Sequence, residues 1–382
     1  MELPTKEGIS EAFSAKYNQP PIWITRSPGR VNIIGEHTDY NDGFVLPMTI
    51  HHAAWVALRP RDDNQVRIMA LDIGEELTFN LEDFKKGRAG WREYVKGVAW
   101  ALQEEDFALR GWEGILSGDV PIAAGLSSSA ALELALARAF ALASDLAWDA
   151  HQAALTCQKA ENHWVGVNSG IMDQMISAAG KENSALLIDC RDLETRLVPL
   201  PEKGRIVILD TATRRGLVDS AYNERRSQCE AVALQFGLSA LRDINLEQLQ
   251  DRAGELDPVL YKRAKHVISE NQRVLDAVQA LQEGNLIRLG ELMNASHVSL
   301  RDDFQVSREE MDQMVAVAQT QPGCFGARLT GAGFGGCAIA LVKIDHVNDF
   351  QSEVAREYRR RTGLKPDIYP VHAVNGTSYE EG

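Results

Sequence analysis

Four short stretches put oxygen and nitrogen side chains at spacings that chemistry can use. The first, IIGEHTDYNDG at 33–43, sets Glu36, His37, Asp39 and Asp42 directly behind an apolar run. Such a cluster can ligate a metal, hydrogen-bond a polyhydroxylated molecule, or simply form a polar turn. The second, GLSSSA at 125–130, brings Gly125, Ser127, Ser128 and Ser129 to the opening of a helix. Converging donors at the positive end of the helix dipole make a phosphate cradle. Plain N-capping explains one serine well but three poorly, and residue type alone leaves the two readings even.

The third is Glu161, which shares the stripe of Cys157 and Trp164 on an amphipathic helix. A carboxylate there is costly unless paired or bound to a cation; a structural salt bridge is the ordinary reading, and magnesium ligation beside a serine hydroxyl is the functional one. The fourth is SGIMDQMISAAG at 169–180, where Asp173 lies in the first turn of a helix whose apolar face holds Ile171, Met172, Met175 and Ile176. The dipole favours the ionised carboxylate that a base requires, but taken alone helix stabilisation is the more ordinary explanation. LTGAGFGGCAIAL at 329–341 satisfies GxGxxG in its letters, but a strand pattern follows it where a dinucleotide fold needs a helix. It reads as a glycine turn between strands. Arg30 shows no role in its local pattern, and Tyr222 lies on the stripe of Cys229 and Phe236, where core packing is the ordinary reading.

The elements that must position these residues follow from periodicity. Strands are predicted at 22–26, 44–58, 65–71, 113–120, 184–189 and 205–210, and helices at 91–105, from the serine turn onward, and at 149–164. The stretch 219–319 reads as mostly helical, with helices at 259–283 and 286–300. Strands at 326–330 and 337–343, a helix at 345–361 and a strand at 366–374 complete the chain. Runs of this kind predict an α+β protein rather than strict βαβ alternation.

Composition excludes several classes. At 382 residues two domains are expected, and 45% apolar with 25% charged residues describes an ordinary globular chain. A net charge of −14 argues against nucleic-acid and anionic-membrane surfaces. Five scattered cysteines without a CxxC predict reduced thiols in a cytoplasmic protein, and no apolar stretch is long enough for a membrane span. GxxxxGK[ST], VAIK, HRD and DFG do not occur, which excludes P-loop and protein-kinase readings.

Taken together, PGRVNIIGEHTDYNDGFVLP, GLSSSAALE and LTGAGFGGC resemble the three signature motifs of the GHMP small-molecule kinases, the first of the galactokinase type. AENHWVGVNSGIMDQ, YNERRSQCE and SLRDDFQVS match the same subfamily, so the resemblance spans essentially the whole chain. It implies a mixed-sheet N-terminal domain at 1–185, a ferredoxin-like C-terminal domain at 186–364, a last strand at about 365–382 returning to the first domain, and an active site in the cleft between them. The implied reaction moves the ATP γ-phosphate to the C1 hydroxyl of α-D-galactose.

By the same resemblance, Ala123, Ala124, Gly125, Leu126, Ser127, Ser128 and Ser129 would wrap the ATP phosphates, with Trp91 near the adenine. Ser129 and Glu161 would hold Mg²⁺, Asp173 would be the base and Arg30 its electrostatic partner. Glu36, His37, Thr38, Asp39, Gly170 and Tyr222 would line the sugar site, while Asp42 belongs to the turn that ends the segment. ATP and D-galactose are the implied partners, with no obligate protein partner. A kinase for another sugar, such as N-acetylgalactosamine or L-arabinose, and a non-catalytic galactose sensor are the alternatives. Two departures, Ser169 for a common Cys and Ala332 for a common Gly, are expected to leave these roles untouched.

Overall fold

The computed structural model describes residues 5–213 and 218–382. Its organising strand is Trp23–Asn32, buried over most of its length. Six strands pair in the order Ser378–Glu381, Trp23–Asn32, Pro47–Pro60, Trp112–Gly118, Gln65–Ala70 and Glu75–Asn80. Only the Gln65–Ala70 and Trp112–Gly118 pair is parallel, so the sheet is mixed. The helix Ser128–Ala143 packs across it, and its run of alanines lets backbone approach backbone. The Thr25 hydroxyl donates to the Ala135 carbonyl at 2.9 Å across that contact.

The second sheet orders Cys324–Leu329, Cys337–Lys343, Gly204–Asp210 and Asp367–Val371, all antiparallel. Its inner strands are apolar on both faces, because side chains alternate sides along a strand. Ile206, Ile208, Ile339 and Leu341 join the core shared with the first sheet. Val207, Leu209, Ala338, Ala340 and Val342 face a second core, built with helices that include Pro258–Gln282 and Glu309–Gln319. The glycine motif lies between strands Cys324–Leu329 and Cys337–Lys343, as its pattern requires.

Several elements depart from expectation. The helix Lys6–Tyr17 buries only Ile9 and Phe13, and its weak apolar signal hides it in the sequence. Strands Glu75–Asn80 and Thr195–Pro199 are largely exposed and were not predicted. The chain end forms two strands instead of one: Asp367–Val371 pairs at the edge of the second sheet, and Ser378–Glu381 crosses to Trp23–Arg26. Between them the Gly376 N–H donates to the Gly180 carbonyl at 2.8 Å, and this tie redirects the chain. The division expected at 185/186 falls inside strand Ser184–Asp189, which pairs with both Phe44–Val45 and Thr195–Pro199. We propose that the first half extends through Pro199. Among the described residues no helix is long and apolar enough to cross a membrane.

The two halves are joined at residues 32–44. Arg328, fully buried on the second sheet, forms an ion pair with the buried Glu36. Its Nη1 also donates to the carbonyls of Asn32 and Ile33 at 3.1 and 3.2 Å. From helix Pro258–Gln282, Glu270 accepts the Gly35 N–H at 3.0 Å, His266 meets the Glu36 carbonyl at 3.1 Å, and Asn271 accepts the Phe44 N–H at 3.0 Å. Burial alone would raise Glu270, but Arg273, His266 and Arg328 around it outweigh that and leave it at about 2. Removing one member of a buried pair strands the other, at a cost of roughly 3–5 kcal/mol. Arg328→Met is therefore expected to lower unfolding stability by about that amount in a urea titration. A loss below about 1 kcal/mol would show that this pair does not join the halves.

Candidate active site

The site grows from a bulge. In WITRSPGRVN the pairing with Pro47–Pro60 shifts register between Pro28 and Arg30. Proline cannot donate to a ladder, and the irregularity re-aims the next side chain. Gly29 meets the turn that precedes helix Ser128–Ala143 so closely that a Cβ would sit 2.7 Å from the Leu126 carbonyl oxygen. The Arg30 N–H donates to that same oxygen at 3.0 Å. The Arg30 side chain, buried, then spans Asp173 with Nε to Oδ1 and Nη2 to Oδ2, both at 2.7 Å, and its Nη1 donates to the Gly125 carbonyl at 2.6 Å. The Ser127 hydroxyl donates to Asp173 Oδ2 as well. Of the four lone-pair directions of this carboxylate, three have protein donors and one remains for another group.

The serine turn is not a simple cap. Ala123, Gly125 and Ser127 take φ of 58°, 85° and 59°, and this alternation curls the backbone into a concavity suited to anions. Ser127 stands at the N-cap position without making a capping hydrogen bond, because its hydroxyl goes to Asp173. Leu126 is buried packing, and the Ala124 carbonyl accepts the Cys337 N–H at 3.1 Å, which ties the turn to the glycine motif.

Two cavities meet at Ser129. One, of about 350 Å³, is largely apolar and is lined by Trp91, Tyr94, Ile73, Val120, Ile122, Leu132, Ser128 and Ser129. Its flat aromatic and aliphatic walls suit a planar ring system. Trp91 is held there by an Nε1 bond to Glu75 at 2.9 Å. The other, of about 180 Å³, is polar and includes Arg30, Glu36, His37, Asp39, Ser129, Glu161, Ser169, Gly170, Asp173 and Tyr222. Asp173 thus lies on the polar cavity while bonded to the turn that leads to the apolar one.

Residues 33–43 supply one wall, but their four expected readers are not equivalent. Glu36 accepts the Gly331 N–H at 2.9 Å and the Asn32 amide at 3.0 Å beside its ion pair with Arg328. The Thr330 hydroxyl, 3.2 Å away, is shared with the Asn32 carbonyl, so Glu36 has little capacity left. Burial raises Glu36 against the pull of Arg328. His37, at φ 64°, places Nε2 3.2 Å from the Ala332 carbonyl and Nδ1 2.7 Å from the Tyr40 hydroxyl. A carbonyl only accepts, so Nε2 carries the hydrogen and Nδ1 accepts from Tyr40. Thr38, expected to line the sugar site, does not reach the cavity. It is buried, and its hydroxyl closes the turn onto the carbonyls of Gly35 and Phe44 at 2.8 and 2.7 Å.

Asp39 is the open acceptor of this wall. Its Oδ1 takes the Tyr40 N–H at 3.0 Å, and its Oδ2 lies against Gly170, where a Cβ would come within 1.9 Å. That contact requires glycine at 170. Tyr222 stands with its ring against His37 and Tyr40, and burial, with Asp39 and Asp173 nearby, pushes its hydroxyl well up from the ordinary phenol range.

Glu161 sits where the helix Ala150–Lys159 loosens into a π turn, Ala160–Val165. Such a turn re-aims side chains and often marks a working site. Its Oε2 accepts from the Ser169 hydroxyl and, at 2.9 Å, from Gln174 Nε2. The Ser129 hydroxyl lies beside the same carboxylate, and burial raises Glu161 from its usual range. Both residues at which the sequence departs from its motifs therefore touch site residues after all: Ser169 bonds Glu161, and the Ala332 carbonyl bonds His37. Sequence reasoning also missed Arg328, Glu270, His266, Glu133 and Gln174. The one available signal was a charged or amide side chain on an otherwise apolar stripe.

The two carboxylates Asp39 and Asp173 share one cavity. Burial first, and repulsion from Asp173 second, lift Asp39 from 3.8 to about 6. A carboxyl raised on folding contributes stability that is full below its unfolded value and lost as pH rises through its folded one. Asp39→Asn should thus melt at higher temperature than the native chain above pH 6, by roughly 1–3 kcal/mol, with the gap closing toward pH 4. A pH-independent gap in scanning calorimetry would contradict this origin.

Comparison with known proteins agrees with this geometry. Family models match as the galactokinase galactose-binding signature at 11–60, the GHMP kinases N terminal domain at 93–181 and the GHMP kinases C terminal at 277–360. The galactokinase of Roseiflexus sp. (strain RS-1) is 47% identical over 373 residues, covering 96% of this chain and 95% of that one. That of Actinobacillus succinogenes is 46% identical over 378 residues, covering 97% and 98%. The crystal structure of Lactococcus lactis galactokinase complexed with galactose superposes with a TM-score of 0.93 at 36% identity, covering 97% of this chain and 98% of the other. Similarity of this extent, on both sequence and fold, shows that the chain belongs to the galactokinase family of the GHMP kinases.

Proposed function

We propose that the polar cavity binds D-galactose with its C1 hydroxyl toward Asp173, and that ATP lies along the serine turn with its base in the apolar cleft. The chain is an ATP-dependent sugar kinase of the galactokinase family. The observation that carries the residue assignment is the Arg30–Asp173 pair, bonded on one side to the serine turn and open on the other to the polar cavity. A base for phosphoryl transfer has to stand at that meeting point.

In this reading the one open direction on Asp173 accepts the anomeric hydroxyl proton as the sugar oxygen bonds to phosphorus. The bond from the γ-phosphorus to the bridging oxygen breaks, ADP leaves, and the proton on Asp173 passes to solvent when the site opens. Arg30 keeps a positive charge beside both the carboxylate and the incoming phosphoryl group, so positioning and charge stabilisation do most of the work. Asp39 and Tyr222 are the groups best placed to read the remaining hydroxyls. Such reading discriminates strongly, since a wrong epimer leaves polar groups unpaired.

Ser129 and Glu161 offer a hydroxyl and a carboxylate side by side, a donor set that fits Mg²⁺ completed by phosphate and water oxygens. A divalent cation held there would neutralise charge on the nucleotide phosphates. No three His, Cys, Asp or Glu side chains converge as a metal group among the described residues, in keeping with a cation that arrives with its nucleotide.

With ATP, Mg²⁺ and galactose, the purified chain should release ADP, and Asp173→Asn should keep galactose binding but lose kcat by roughly 10²–10⁴-fold. Near-normal kcat in that variant would remove Asp173 from the role of base. Turnover of a different sugar but not galactose would move the substrate assignment.

A further inference from the structure

Behind the site lies a carboxyl group that the reaction does not touch. Glu133 follows Ser129 by one helical turn on Ser128–Ala143 and is fully buried. Its Oε2 accepts from Gln174 Nε2 at 3.1 Å, and that same Nε2 donates its other hydrogen to Glu161 Oε2 at 2.9 Å. The direction of the Gln174 amide is therefore fixed, since only its nitrogen can serve two carboxyl oxygens. Two buried oxygens stay unsatisfied, Glu133 Oε1 and Gln174 Oε1. They belong to two groups that are already joined by one hydrogen bond.

One proton resolves both. If Glu133 is a neutral acid, its Oε1–H donates to Gln174 Oε1 while Gln174 Nε2 donates to Glu133 Oε2, closing a ring of two hydrogen bonds. An ionised Glu133 would leave both acceptors unsatisfied in a buried layer, a costly arrangement. Burial acts in the same direction, pushing Glu133 well above the ordinary carboxyl range.

We propose that Glu133 is a protonated carboxylic acid paired with Gln174, and that this pair is a positioning device that aims the second Gln174 N–H at Glu161 and so fixes the orientation of that carboxylate. Gln174 directly follows Asp173 on helix Met172–Ala179, so the same clamp anchors the helix that carries the base. The function of Glu133 is to hold a proton and not to release one. The second part rests on the reading that Glu161 holds the cation.

The acid is read directly by infrared difference spectroscopy of the full chain at neutral pH. A carboxylic-acid C=O band should appear in the native protein and vanish in Glu133→Gln, whose amide can form the same two-bond ring. Absence of that band overturns the proposal, and this readout survives even if Glu133→Ala fails to fold. Mn²⁺ binding with a non-hydrolysable ATP analogue, followed by water proton relaxation, tests the positioning. Glu133→Ala should weaken Mn²⁺ by roughly 10-fold, and Glu133→Gln should restore it to within about twofold of native. Equal weakening in both variants, or none in either, overturns the positioning role. Failure of the cation reading is distinguishable: it would leave Mn²⁺ affinity unchanged in Glu161→Ala with the infrared band intact.

Discussion

The rest of the site depends on one buried guanidinium. Arg30 is too far from water to be tolerated without partners, and its partners lie on two other motifs: Asp173 on one, and on the serine turn the Gly125 carbonyl and, through its own N–H, the Leu126 carbonyl. Its need for pairing fixes three segments that are distant in sequence. Gly29 and the Pro28 bulge are consequences, since only a strand that bends there and lacks a side chain there can bring Arg30 against the turn. The diversion of the Ser127 hydroxyl from capping to Asp173 is another. Capping is worth about 1 kcal/mol to a helix, and a charge-assisted bond to the half-buried Asp173 carboxylate competes well with it.

A second constraint acts on the opposite wall. Residues 33–44 carry more polar groups than a loop can satisfy by itself, and the second half of the chain satisfies them through Arg328, Glu270, His266 and Asn271. Burial lowers His266 to about 4, so it meets the Glu36 carbonyl as a neutral ring. This division of labour separates side chains that hold the wall from those that face into it. Glu36, His37 and Thr38 spend most of their bonding on the protein. Asp39 and Tyr222 face the cavity, Asp39 with its Oδ1 on the Tyr40 N–H and Tyr222 beside the Gly170 backbone, and burial together with the Asp173 charge raises the Asp39 carboxyl to about 6.

Much of this was legible in the sequence because period and turn chemistry are local. The apolar runs RIVILD and CAIALVK declare strands buried on both faces, and the glycine motif declares its own place between two strands. The serine turn declares a helix start, and Asp173 and Glu161 are conspicuous as carboxylates among apolar neighbours. What stayed hidden was pairing over long distance. Nothing near Arg30 announces Asp173, 143 residues away, and nothing near Glu36 announces Arg328. Ser378–Glu381 is entirely exposed and has no apolar face to betray it, so its return to Trp23–Arg26 emerges only from the fold. Thr38 was expected on the cavity because it stands between His37 and Asp39, which line it, yet it precedes a 3₁₀ turn at Asp39–Asn41 and its hydroxyl turns inward to the Gly35 carbonyl.

Two hydrogen bonds join Arg30 to Asp173, and a double-mutant cycle on kcat/KM for galactose measures directly whether they act as one unit. Arg30→Ala, Asp173→Ala and the double variant should lose activity so far from additively that the double falls no lower than the weaker single. Independent losses that add in free energy, with coupling below about 0.5 kcal/mol, would contradict it.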